Sequence, residues 1–319
     1  MSLEGRTVAF VFPGQGSQKV GMGKAWADAS EEARRTFEEA DEVLGFPLSR
    51  LCWEGPEEEL GLTTNTQPAL LAASIAIYRS LASQGLFVEP VAMAGHSLGE
   101  YSALVAADAL DFADGLRLVR RRGELMQEAV PVGVGAMAAF IGLDDQAVAA
   151  VAEEAAQGEL CAVANYNSPG QTVIAGHKAA VDRAVALAKE RGARKATLLA
   201  VSAPFHSPLM RPARDGMAGE LAKVELRAPR VPVVANVDAA PVITGDAARD
   251  ALERQIDGPV RWVESVAWMA REAGVGTFLE IGPGNVLTGL NRRIATGTLC
   301  ASLSDPEQLK KFLAAAEES

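Results

Sequence analysis

The stretch Val91-Ala92-Met93-Ala94-Gly95-His96-Ser97-Leu98-Gly99-Glu100 places a serine between two glycines, where a short apolar run meets a run of helix formers. A strand that passes at once into a helix must turn sharply, and the turn leaves no room for side chains on its flanks. Gly95 and Gly99 let the backbone close while Ser97 projects its hydroxyl, the arrangement of a nucleophile elbow. The residues from Glu100 to Leu110 (EYSALVAADAL) suit the following helix, with an acidic residue at its positive end. Such an elbow requires a sheet to carry the strand and helices to cover it, and it makes Ser97 the candidate nucleophile.

The rest of the chain supplies that sheet. Arg6–Phe12 (RTVAFVF) reads as a buried strand ended by Pro13-Gly14-Gln15-Gly16, with helical patterns over Glu31–Leu44 and Gln67–Ser83. After the elbow, Asp114 is expected to cap a helix running to Ala129, and Pro131-Val132-Gly133 breaks that pattern. A separate rhythm follows: strand Gly135–Ile141, helix Asp144–Ala156, strands Leu160–Asn165 and Gln171–Ala175, helix Ala179–Glu190 and strand Ala196–Val201. This βαββαβ order predicts a ferredoxin-like subdomain. Beyond Pro204, strands Val231–Val237, Thr277–Ile281 and Thr298–Leu303 alternate with helices over Asp246–Ile256, Val260–Glu272 and after Gly284. The expected fold is α/β, a parallel sheet flanked by helices as in α/β-hydrolases, with residues 1–130 and 203–319 forming the core and 131–202 inserted as the small subdomain.

With 49% hydrophobic and 22% charged residues in 319, the composition is that of an ordinary globular protein. A net charge of -11 and a pI near 4.9 exclude a broad nucleic-acid-binding surface, so an acidic partner would need a local basic patch. Candidates are Arg120–Arg122, the Lys189/Arg191/Arg194/Lys195 group, Arg211/Arg214 and Arg292/Arg293. The apolar stretch Val132–Leu143 is shorter than the roughly 18 residues of a membrane helix. The start of the chain, Met1 to Phe12, has too short an apolar run for a signal segment. Cys52, Cys161 and Cys300 fit neither a disulfide framework nor a metal cluster. A cytoplasmic monomer with neither metal nor cofactor is expected.

A serine hydroxyl needs a neighbouring base, usually a histidine, and the chain has three. His96 adjoins Ser97, where elbow geometry turns its side chain away; His177 sits in an ordinary turn of the small subdomain. His206, in the proline-flanked segment Ser202-Ala203-Pro204-Phe205-His206-Ser207-Pro208, is left as the base. One arginine also stands out. On the helix after Asp114, Gly115, Leu118, Arg122, Leu125 and Ala129 recur along an apolar stripe, so Arg122 is a charge on an inward face. Its guanidinium must find an anion, supplied either by a buried Asp or Glu or by a substrate carboxylate.

Several separated segments resemble one family. Val11-Phe12-Pro13-Gly14-Gln15-Gly16-Ser17-Gln18, Gln67-Pro68-Ala69-Leu70, Gly95-His96-Ser97-Leu98-Gly99-Glu100-Tyr101, Asn167-Ser168-Pro169-Gly170-Gln171, Pro204-Phe205-His206 and Glu280-Ile281-Gly282-Pro283-Gly284 are similar to malonyl-CoA:acyl carrier protein transacylases over nearly the whole chain. The resemblance implies that Ser97 accepts the acyl group and His206 serves as its base, with no acidic third member. It implies that the backbone carbonyl of Gln255 orients His206 and that the backbone N–H groups of Gln15 and Leu98 form the oxyanion hole. It implies that Arg122 grips the malonyl carboxylate, and that Phe205 and Leu98 disfavour a methyl-branched group. The partners so implied are malonyl-CoA and acyl carrier protein, used in a ping-pong cycle. A serine hydrolase would share the elbow and histidine, and a noncatalytic carrier-docking module or a transferase of polyketide assembly are further alternatives.

Overall fold

The computed structural model describes residues 7–85 and 88–317; Met1–Arg6, which carry the expected start of the first strand, lie outside them. Ten strands occur among the described residues: β1 Val8–Phe12, β2 Ala92–Gly95, β3 Gly135–Ile141, β4 Cys161–Ser168, β5 Gln171–His177, β6 Lys195–Leu198, β7 Val233–Val234, β8 Pro241–Val242, β9 Thr277–Glu280 and β10 Leu299–Ser302. They form a six-stranded sheet in the order β10-β9-β1-β2-β7-β8 and a four-stranded sheet in the order β4-β5-β3-β6. In the larger sheet all neighbours are parallel except the β7–β8 pair. Every residue of β1 and β2 is buried, because helices cover both faces and the sequence answers with unbroken apolar runs rather than alternation.

The edge hairpin departs from expectation. The strand expected over Val231–Val237 shrinks to two residues, and β8 runs antiparallel beside it. The chain turns back just after β7, with Ala239 N–H donating to Ala235 O at 2.9 Å, and inside that turn the Asn236 N–H is taken by Glu100 Oε2 at 2.8 Å.

The four-stranded sheet is antiparallel throughout, and its two helices, Asp145–Ala156 and Lys178–Glu190, pack on it through Val148, Val151, Val181 and Ala184. Main-chain bonds tie β4 to the segment just before the helix Trp262–Arg271, Val260 N–H to Ala164 O at 2.8 Å and Tyr166 N–H to Val260 O at 2.9 Å.

Helix boundaries show which local signals prevailed. The helix expected from Asp114 begins one turn earlier, at Phe112, because Asp111 rather than Asp114 caps it by accepting from the Ala113 N–H. Asp114 instead lies in the first turn, where its charge suits the helix dipole. The helix expected from Gln67 begins at Thr63 and runs to Ser83 with Pro68 inside it. Proline has no N–H for the carbonyl of Thr64 four residues back, and Arg120 Nη1 donates to that carbonyl at 3.1 Å instead. Helices Lys24–Ala29, Leu48–Glu54, Glu57–Leu60 and Arg211–Leu221 lie in segments that sequence periodicity leaves blank. Among the described residues no helix is long and apolar enough to cross a membrane.

The parallel register aligns Phe12 with Gly95, so β1 and β2 end together. The Gly14–Gly16 loop and the elbow therefore emerge side by side at the carboxyl edge of the sheet, where open parallel sheets place their ligands.

Candidate active site

The elbow is as tight as its glycines imply. A side-chain carbon on Gly95 would lie 1.9 Å from the carbonyl of Gly99, and one on Gly99 would lie 2.2 Å from the carbonyl oxygen of Phe12. Ser97 has φ 52°, a left-handed conformation that costs a non-glycine residue on the order of 1 kcal/mol and that must be held by its surroundings. Asn236 supplies the hold: its Oδ1 accepts from Ser97 N–H at 2.7 Å and its Nδ2 donates to Gly95 O at 2.7 Å. Sequence reasoning missed Asn236, although a lone amide in the apolar run VPVVANV was a visible signal.

His206 approaches from the segment that follows β6. Its Nε2 is 2.6 Å from Ser97 Oγ and its Nδ1 is 2.9 Å from the backbone oxygen of Gln255. A carbonyl only accepts, so Nδ1 carries the proton and Nε2 is left to receive one from the serine hydroxyl. Burial first, and then the nearby Arg122 charge, push the His206 pKa down to about 3, so the ring is neutral at pH 7. His206 is itself at φ 57°, a second strained residue facing the first.

Arg122 is 2% exposed. Its Nη1 donates to Gln67 Oε1 at 2.7 Å, and its Nη2 donates to Gln255 Oε1 at 2.9 Å and to Ser97 Oγ at 3.1 Å. All three acceptors are neutral, and Nε has no partner. A buried ion pair with Asp or Glu is thus not what these contacts form, and the guanidinium retains an unneutralised charge beside the serine.

Gln15 and Leu98 line the same cavity as Ser97, Arg122, Phe205 and His206. The Gln15 side chain is fixed by Thr63 Oγ1, which donates to its Oε1 at 3.0 Å. Gly14 lets this loop pass the elbow, since an added carbon there would sit 2.4 Å from the His96 carbonyl oxygen. His96 itself turns from Ser97 toward Asn167 Oδ1, 2.8 Å from its Nε2, and packs on Trp262, yet still borders the cavity. His177 lies apart, where its Nδ1 accepts from Leu160 N–H. The fold thus gathers Ser97, His206, Arg122, Gln255, Gln15 and Leu98 in one place. Gln67 joins them unanticipated; it was seen only as part of a motif, and its contact with Arg122 spans 55 residues.

A neutral imidazole on a serine hydroxyl, beside a buried cation in an apolar cavity, is the equipment of acyl transfer through a covalent ester. The chain belongs to the acyl transferase domain family, whose model matches residues 9–298. It is 54% identical over 305 residues to the malonyl CoA-acyl carrier protein transacylase of Escherichia coli (strain K12), covering 96% of this chain and 98% of that protein. It superimposes on an acyl carrier protein S-malonyltransferase from Vibrio cholerae with a TM-score of 0.93 and 50% identity, covering 96% of this chain and 99% of the other. A malonyl-transacylase solved in complex with its type II PKS acyl-carrier protein matches with a TM-score of 0.94 and 50% identity, over 97% and 99% of the two chains.

Proposed function

We propose that this protein transfers the malonyl group from malonyl-CoA to the phosphopantetheine thiol of an acyl carrier protein through a malonyl ester on Ser97, supplying fatty acid synthesis. The observation that carries this reading is the 2.6 Å contact between Ser97 Oγ and His206 Nε2, with Arg122 Nη2 3.1 Å from the same oxygen. Ser97 Oγ attacks the thioester carbon as its proton passes to His206 Nε2. Gln255 O holds the imidazolium through Nδ1–H, in place of the carboxylate of a triad. The tetrahedral oxyanion is received by the backbone N–H groups of Gln15 and Leu98. On collapse the C–S bond breaks and the CoA sulfur takes the proton from Nε2. The carrier thiol then repeats the sequence in reverse, giving its proton to Nε2 and taking the malonyl group from Ser97, a ping-pong cycle.

Arg122 is assigned the free malonyl carboxylate, because its contacts are all neutral and a carboxylate is the anion that a guanidinium fork fits best. Phe205 and Leu98 line the cavity and are assigned the exclusion of methyl-branched groups, a discrimination limited to about 1–3 kcal/mol per methyl. Residues 131–202 act in this reading as a small subdomain inserted between the two parts of the core and closing the cavity through Met137, Asn165, Leu199 and Val201. The enzyme works as a monomer in the cytoplasm, in keeping with its three free cysteines.

The test is an intact-mass measurement of the enzyme with malonyl-CoA alone, digestion to locate the adduct, and then addition of carrier protein. A malonyl adduct on Ser97 that disappears on addition of carrier, with little malonate released in its absence, is expected. Equal release of malonate with and without carrier would make the protein a hydrolase instead. A polyketide carrier is the second reading, favoured by the PKS complex among the similar structures, and competition between the two kinds of carrier separates them.

A further inference from the structure

The elbow, the base and the arginine reach one another through two amides, and both amides depend on a single buried oxygen. Glu100, 1% exposed, accepts at Oε2 from the Asn236 N–H at 2.8 Å and from Gln255 Nε2 at 3.0 Å. Gln255 is held between opposite demands. Its Oε1 faces the Arg122 donor at 2.9 Å, and its Nε2 faces Glu100 Oε2 and the Ser97 carbonyl, the latter at 2.9 Å. An amide between a guanidinium, which can only donate, and two oxygens that can accept sits only one way round. With its side chain so locked, the backbone oxygen of the same residue is aimed at His206 Nδ1. Asn236, anchored by Glu100 at its N–H, in turn clasps Ser97 N–H and Gly95 O.

We propose that Glu100 is a positioning residue of the acyl-transfer site, acting through Gln255 on His206 and through Asn236 on Ser97. This rests on the reading of Ser97 and His206 given above. What matters is an acceptor oxygen at Oε2 and not a negative charge: burial pushes the Glu100 carboxyl up to about 7, and both of its partners are neutral donors that a protonated acid or an amide oxygen satisfies equally. Removing the acceptor frees Gln255 to turn over and loosens the clasp on the elbow. A misplacement of about 1 Å costs on the order of 100-fold in the chemical step. Neither Glu100 nor Asn236 touches the substrate; Glu100 reaches the carboxylate site only through Gln255 and Arg122, and Asn236 reaches only the elbow.

Rates of Ser97 malonylation by malonyl-CoA, followed by quenched-flow intact mass on the full-length protein, test this with three variants. Asn236→Ala is expected to slow acylation by about 100-fold with KM changed less than about threefold, Glu100→Leu to slow it at least as much and to raise KM as well because Gln255 also holds Arg122, and Glu100→Gln to stay within about threefold of wild type in both. The His206 Nδ1–H proton resonance of 15N-histidine-labelled protein is expected to persist in Glu100→Gln and to shift or vanish in Glu100→Leu. A Glu100→Leu enzyme with unaltered rate and resonance, or a loss that Glu100→Gln fails to restore, overturns the proposal. Should Glu100→Leu not fold, an unaltered Asn236→Ala or an impaired Glu100→Gln does so. Peptide mapping of the wild-type adduct separates this from the parent reading: malonyl on another residue sinks both, whereas malonyl on Ser97 with indifferent variants sinks this one alone.

Discussion

Arg122 concentrates the chemistry of the site at the scale of one residue. Its guanidinium is bonded to three neutral oxygens, so no carboxylate neutralises it at hydrogen-bond distance. In the proposed reaction a carboxylate arriving with the acyl group would meet that charge, and charge-assisted hydrogen bonds are worth about 1.5–3 kcal/mol each. Arg122→Ala is therefore expected to lower kcat/KM for malonyl transfer by on the order of 100-fold or more while acetyl transfer falls far less; parallel losses measured with the two CoA esters would remove the assignment. Ser97→Ala should give no ester on mass analysis, whereas His206→Ala should slow ester formation by about 100- to 10,000-fold and leave CoA binding in equilibrium dialysis nearly as before. An adduct that survives in Ser97→Ala would point to another nucleophile. Ser97 and His206 were legible from residue type: an elbow admits one serine, and of three histidines two sit where they cannot serve it. The neutral company of Arg122 was not legible, because Gln67 and Gln255 lie 55 and 133 residues from it.

At the scale of the element, the strand–elbow–helix unit carries the strain. Backbone atoms crowd Gly95 and Gly99 and no side chain can move aside there, so Gly99→Ala is expected to destabilise the fold by at least about 2 kcal/mol, read as a lowered midpoint in urea. Gly219, on the outer face of the helix Arg211–Leu221, has nothing within 4 Å of an added carbon, and Gly219→Ala should raise the same midpoint by about 0.5–1 kcal/mol. Equal effects at both positions would show that crowding at the elbow is unimportant. Elements were legible where apolar periodicity was long, as over Glu31–Leu44, whose Ser30 cap and Gly45 stop both stand in the sequence. They were illegible where tertiary contact overrode local preference. The helix expected from Gln67 extends back to Thr63 with Pro68 inside it, where Arg120 reaches the Thr64 carbonyl that the proline leaves without an N–H.

For the whole molecule, the buried site makes stability depend on pH in two opposed ways. Folded His206, with its pKa near 3, stays unprotonated where the unfolded imidazole, near 6.5, binds a proton; acidification through 6.5 therefore costs stability. Folded Glu100, near 7 against an ordinary 4.5, takes up a proton before the unfolded carboxylate does, so between 7 and 4.5 acidification favours the fold. The two largely cancel from pH 6.5 to 4.5. Glu100→Gln removes one side of the balance and should lose stability over that window faster than wild type, by about 1.4 kcal/mol per pH unit, in denaturant titrations at a series of pH values. Identical pH profiles for the two proteins would contradict the burial of an ionisable group at position 100.

What the amino-acid order determined by itself was whatever neighbours in the chain can settle: the serine turn between its glycines, the alternation of apolar strands and amphipathic helices that makes a parallel sheet, the βαββαβ order of the second sheet, and the inward arginine. Short-range sterics and periodic burial act within a few residues and leave their mark there. Tertiary structure alone decided that His206 meets Ser97 across 109 residues, that Asn236 just after β7 holds the elbow, and that Gln255 lies between Arg122 and Glu100. A buried polar group is satisfied by whichever partner the packing brings within about 3 Å, and no local pattern records which one that is.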